Sequence, residues 1–198
     1  MLIHNFKSDK LSLLDIGARD GIGWPWNAVQ REMLNVILVE PDPIEAKVLE
    51  DQKQGRVLPY ALWDKETELT LNINNSPGTS SVFEANIPFL EQFEDAQRFK
   101  VKEKITIKTK TIDGLARSNE IDSVDFVKID VQGGELAILQ GGEKFFKDNI
   151  IGLEVVFSNF CLLVFLGRIN LINDVIPPLS PLFIPSISSI IIAIFLGF

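Results

Sequence analysis

The sequence predicts an α/β fold with a mostly parallel sheet and flanking helices, on three observations. Short apolar runs at residues 11–16, 35–40, 124–131 and 150–157 have strand length and are bounded by turn residues. Two of them end on an acid that leads into a glycine-rich turn, DIGARDG at 15–21 and DVQGGE at 130–135. Segments with helical spacing lie between the runs, which is the order of βαβ units.

The chain is organised around residues 11–23, LSLLDIGARDGIG. Its apolar start reads as a buried parallel strand, and Gly17, Gly21 and Gly23 make the turn a place where backbone N–H groups can approach a nucleotide-like ligand. A helix is expected after it, with Pro25 in the first turn and Trp26, Val29, Met33 and Leu34 at helical spacing, offering its N-terminal amides. The glycine spacing does not match G-x-G-x-x-G, so a dinucleotide is disfavoured. An acid before the first glycine, Asp15, suits a ligand with an ammonium or sulfonium group.

Residues 35–40, NVILVE, form the second strand and end on Glu40. A carboxylate at that tip can accept from both ribose hydroxyls, and its distance from the glycine turn is close to the expected ~20 residues. Residues 44–54 read as an exposed helix stopped at Gly55, residues 56–62 as a third strand, and residues 68–74, ELTLNIN, as a hairpin arm with one wet face. Residues 74–83 read as a surface loop, and residues 86–100 as an amphipathic helix or lid. Strict alternation over 100–110 predicts a strand with one solvated face, followed by a short helix at 111–118.

In VDFVKIDV, residues 124–131, period two places Phe126, Lys128 and Asp130 on one face. A lysine in a central strand needs a partner, and Glu154 of the next strand or Asp130 itself is expected to supply it. A purely structural ion pair is the competing reading of Lys128 and Glu154. Asp130 stands at the carboxyl end of a strand, where open α/β sheets bind ligands. A helix is expected at 136–140, broken by Gly141 and Gly142.

Composition narrows the function classes. A chain of 198 residues fits one domain, and a net charge of −8 without a basic block argues against nucleic acid as a partner. Cys161 is the sole cysteine and His4 the sole histidine, which leaves no material for a Cys-cluster metal site or a Ser-His-Asp mechanism, and no metal is expected. The first ten residues lack an apolar h-region, so a cytoplasmic location is expected.

DIGARDG, VEPDP, ALWDKE, PGTSS, TIDGL, VDFVKIDVQGGELAILQGG and GLEVVF, in this order over residues 11–157, resemble the FkbM family of S-adenosylmethionine-dependent methyltransferases. The resemblance implies the class I methyltransferase fold, a Rossmann-like seven-stranded sheet. It also implies S-adenosyl-L-methionine as cofactor and O-methylation of a hydroxyl on a sugar, glycan or other small molecule. Carried over by position, Asp15, Gly17, Ala18 and Gly21 would line the methionine end of the cofactor. Glu40 with Pro41 would hold the ribose, and Asp42, Ala61 and Leu62 would lie near the adenine. Asp130 would lie by the methyl group and act as base, with Glu135 or a water as the second candidate and Lys128 beside them. The family usually has Glu where this chain has Gln132.

Residues 159–198 depart from this pattern, with two charges, Arg168 and Asp174, and four prolines at 177–185. The expected organisation is a cofactor-binding domain over 1–158 and an apolar tail over 159–198. The helix and antiparallel strand pair that complete a class I sheet are expected to be missing or aberrant. Those prolines exclude a spanning helix before residue 186, leaving peripheral membrane association through the tail as the alternative to a foreign end. The alternative function is a truncated, non-catalytic remnant that binds the cofactor weakly or not at all.

Overall fold

The computed structural model describes residues 10–157, 160–166 and 190–196. Strand β1 (Leu11–Ile16) is buried along its whole length. It pairs in parallel with β2 (Leu34–Val39) on one side and β7 (Phe126–Ile129) on the other. Beyond them β3 (Arg56–Leu58) and β8 (Gly152–Phe157) extend the parallel array, giving the order β8-β7-β1-β2-β3. Apart from one row of buried charges, the centre is apolar on both faces, as suits parallel strands covered by helices. One face carries Leu14, Ile16, Val127 and Ile129, and the other Leu13, Val36, Leu38 and Phe126.

Two further strands continue the sheet, β9 (Phe160–Leu166) antiparallel to β8 and β10 (Ile190–Leu196) parallel to β9. The rest of the 159–198 tail lies outside the described residues, as does His4.

Helix α1 (Pro43–Gln52) starts where Asp42 Oδ1 accepts from the Ile44 amide at 2.9 Å, with Pro43 in the first turn. It ends on Lys53 in the left-handed conformation, earlier than the expected stop at Gly55. Gly55 serves packing instead, since a Cβ there would press on the Val36 carbonyl. Helix α3 (Ile112–Arg117) is capped by Thr111, whose hydroxyl accepts from the Gly114 amide. Helices α4 (Glu135–Gly141) and α5 (Glu143–Asn149) meet at Gly142, the break the sequence signalled.

Two expected helices do not form. Residues 25–34 make only two 3-10 turns, Trp26–Ala28 and Arg31–Met33. Trp26 is drawn into the core while Leu34 must enter β2 opposite Leu11, and Gln30 is extended between them. Residues 86–100 yield the short α2 (Ile87–Leu90) and a 3-10 turn at Ala96–Phe99, with Phe89 and Phe93 exposed.

The 56–62 run splits into β3 and β4 (Ala61–Leu62). The second of these joins a smaller sheet, in the order β4-β6-β5, with β5 (Glu68–Asn74) antiparallel to the long β6 (Val101–Lys110). The smaller sheet contributes Leu71 and Ile107 to a cavity beside the carboxyl ends of β1, β2 and β7.

Candidate active site

The cavity has a volume of about 300 Å³, at the small end of the range for ligand sites. Of the residues singled out in the sequence, Gly17, Glu40, Pro41, Ala61, Leu62 and Asp130 line it. Asp15, Ala18, Gly21, Asp42, Lys128 and Glu135 are not among its lining residues and act from behind or beside it.

The glycine turn is shaped by sterics. Gly17 has φ +83°, and a Cβ there would overlap the Asp130 carbonyl oxygen. Its amide and that of the buried Ala18 both donate to the Val39 carbonyl, at 3.0 and 3.2 Å, and the Gly21 amide donates to the Ala18 carbonyl at 2.9 Å. These N–H groups are therefore committed within the protein, and no α-helix follows to offer more, contrary to the sequence expectation. Gly21, with φ +81°, packs against Gln54, whose Oε1 accepts from the Ile22 amide at 2.8 Å.

Arg19 ties this turn to α1, with Nη2 2.7 Å from Asp42 Oδ2 and Nη1 3.1 Å from Glu45 Oε2. Asp42 thus caps the helix and holds Arg19, while its amide donates to Glu40 Oε1 at 2.9 Å. Burial pushes the Glu40 carboxyl up to about 7, against the opposing pull of the Asp42 amide and the Arg19 charge.

A row of charges crosses the sheet beneath the turn. Asp15, Lys128 and Glu154 are register partners on β1, β7 and β8. Lys128 Nζ lies 3.0 Å from Asp15 Oδ1, so its direct ion-pair partner is Asp15 rather than the expected Glu154 or Asp130. The reason is topological: β1 neighbours β7 on the side opposite β8, so Lys128 faces a carboxylate on each side. Glu154 Oε2 accepts from Trp26 Nε1 at 2.9 Å. Burial works against the Lys128 charge, but Asp15, Asp130 and Glu154 outweigh it and hold the ammonium above its usual range. Burial raises the Asp15 carboxyl, with Lys128 opposing, and Asp15 Oδ2 has no hydrogen-bond partner among the described residues.

Asp130 follows β7 on the same face as Lys128. Burial raises its carboxyl and Glu135 adds to the rise, while Lys128 and a 3.1 Å hydrogen bond from Gln132 Nε2 oppose it. Glu135 opens α4, and its Oε1 accepts from the Gly133 amide at 3.0 Å, closing the turn.

Sequence reasoning missed several residues of the cavity wall. Arg19, Asp20 and Trp63 line it, as do Pro77, Gly78, Ser80 and Val82 of the segment read as a plain surface loop. That loop is fixed: Asn74 Nδ2 donates to the Thr79 carbonyl at 2.7 Å, and the Ser76 amide donates to the Arg98 carbonyl at 3.0 Å. Trp63 lies against Gly134, where a Cβ would meet the ring at 2.7 Å. The run of hydroxyl and amide side chains in NNSPGTSS was the available signal.

The cavity wall carries a buried carboxylate, Glu40, and the Asp130 carboxylate. An orphaned buried oxygen, on Asp15, sits beneath a turn that only glycine can make. Those features fit a ligand with a diol at one end and positive charge at the other.

The profile of the Methyltransferase FkbM domain family matches residues 15–163. No curated protein matches the chain. Among solved structures, the methyltransferase FkbM from Methylobacillus flagellatus KT is similar, with 18% identity and a TM-score of 0.45 over 77% of this chain and 34% of that one. The chain therefore spans about a third of the length of that protein.

Proposed function

From the premise that the chain belongs to the FkbM methyltransferase family, we propose that it is an S-adenosylmethionine-dependent O-methyltransferase. Its acceptor would be a hydroxyl of a sugar, glycan or other small molecule, and its compartment the cytoplasm. Asp130 carries the reading: it is a carboxylate in the cavity wall at the carboxyl end of a central strand, with Glu40 in the same wall.

S-adenosylmethionine, when bound, supplies a methyl group activated on a sulfonium centre. Glu40, its orientation set by the Asp42 amide, would accept from the ribose hydroxyls. Pro41, Ala61 and Leu62 provide an apolar wall for the adenine. Asp15 and the turn over Gly17, Ala18 and Gly21 shape the methionine end, and Lys128 compensates the Asp15 charge. Asp130 would take up the proton of the acceptor hydroxyl, a general-base role that needs the hydroxyl within hydrogen-bond reach. Glu135 is the second candidate base. Among the described residues no helix is long and apolar enough to cross a membrane.

Calorimetric titration with S-adenosylhomocysteine and with sinefungin, an analogue bearing an amine in place of the sulfonium methyl, tests this reading. S-adenosylhomocysteine is expected to bind, with at least tenfold loss in Glu40→Ala. Asp130→Asn is expected to weaken sinefungin at least tenfold and S-adenosylhomocysteine only a few fold. A folded chain that binds neither compound would overturn the proposal.

A further inference from the structure

The turn after β7 contains a residue in a conformation its side chain does not favour. Gln132 has φ +58°, the left-handed region that non-glycine residues seldom occupy, in a turn where glycines stand at the next two positions. Two contacts from the loop before α2 hold it there. Ser81 Oγ donates to the Gln132 carbonyl at 2.7 Å, and the Phe83 ring covers Gly133, leaving 3.2 Å to an added Cβ. Ser81 is itself buried and its Oγ accepts from the Phe83 amide at 3.0 Å. So fixed, Gln132 turns its side-chain amide onto Asp130 Oδ1 at 3.1 Å.

Asp130 is otherwise surrounded by charge. Lys128 stands two residues back on the same strand, Asp15 on β1, and Glu135 at the start of α4, while Arg19, Asp20 and Glu40 line the same cavity. Arg19 is engaged by Asp42 and Glu45, and Lys128 by Asp15. A neutral donor at position 132 adds a hydrogen bond to this carboxylate, whereas a glutamate there would add repulsion and, when ionised, no donor.

We propose that Gln132 is a positioning residue for Asp130: the Ser81-held backbone aims its amide at Oδ1, fixing the carboxylate and leaving Oδ2 to take the acceptor's proton. This rests on the methyl-transfer reading of the site. It gives the glutamine at this position a part in orienting the base, and gives the 75–83 loop a role in chemistry through Ser81.

The pH dependence of sinefungin affinity, divided by that of S-adenosylhomocysteine, tests the proposal without a known acceptor. Glu40 acts on both ligands and cancels in the ratio, so the ratio reports the carboxylate facing the amine. The wild-type ratio is expected to fall on the acid side as Asp130 protonates. Gln132→Glu and Gln132→Met are expected to move that fall to higher pH by half a unit or more, about threefold in the ratio on the acid limb. Ser81→Ala is expected to move it the same way by less. Unchanged profiles in folded Gln132→Glu and Gln132→Met, with Asp130→Asn still weakening sinefungin, would overturn this inference alone. Wild-type sinefungin affinity in Asp130→Asn would overturn both this inference and the methyl-transfer role of Asp130.

Discussion

Lys128 Nζ lies 3.0 Å from Asp15 Oδ1 across two neighbouring parallel strands, at one register position. Asp15 is fully buried and Lys128 nearly so. Their attraction outweighs desolvation at Lys128 but only opposes it at Asp15, so neither group tolerates loss of the other.

Asp15→Asn is therefore expected to destabilise the fold by about 1–3 kcal/mol, because it removes the 3.0 Å partner of the Lys128 ammonium and leaves Glu154 and Asp130 to compensate it. Adding Lys128→Met should recover part of that loss, since a neutral pair of similar size carries no such penalty. Urea denaturation of the single and double variants measures both.

Gly17→Ala should cost about 3 kcal/mol or more, because the new Cβ meets the Asp130 carbonyl at a positive φ where L-residues are already strained. Gly23→Ala is the control. It has open space around its Cβ position and should change stability by no more than about 0.5 kcal/mol. Thermal melts of the two variants side by side would check the contrast.

Glu40 should make both stability and binding pH-dependent. Its folded value of about 7 lies above the ordinary 4.5, so between those values the native state holds more protons than the unfolded one. Stability contributed by this group then falls as pH rises through the window, by about 3 kcal/mol at most. Burial raises Asp15 and Asp130 as well, so they act in the same direction. Glu40→Gln is expected to melt higher than the wild type at pH 8 and by little at pH 5.5. Binding should run the other way: S-adenosylhomocysteine tightens as pH rises through about 7 in the wild type, and Glu40→Gln flattens that profile.

Trp26→Phe keeps a ring against Phe126, whose centroid lies 5.0 Å away, and removes the indole N–H from Glu154. A loss of about 1–3 kcal/mol is expected from a buried, charge-assisted hydrogen bond. Chemical denaturation followed by circular dichroism would read it without relying on indole fluorescence.

The central strands were legible because burial on both faces leaves an apolar run, and because acids at strand tips stand out against it. Asp15, Glu40 and Asp130 could be singled out on that ground. The segment after Gly23 was misread because Trp26, Val29 and Leu34 suit a helix by spacing, while their fates are set by Glu154 and Leu11, both distant in sequence. Lys128 showed its need for a partner, but choosing Asp15 required knowing which strands flank β7. Trp63, Leu71 and Ile107 gave no local sign that they share a wall, since only the docking of the smaller sheet brings them together.

Trp63 joins the smaller sheet to helix α4 by its backbone as well as its ring. Its amide donates to the Lys110 carbonyl at 2.9 Å, and its own carbonyl sits so close to Gly141 that no side chain could stand between. The cavity is thus a seam, with β1, β2 and β7 on one bank and β4, β5 and β6 on the other. A molecule seated in the seam touches both banks, and parting them would mean releasing it. Occupancy should then slow amide exchange along β5 and β6, making the smaller sheet the part of the protein that reports whether the larger one is loaded.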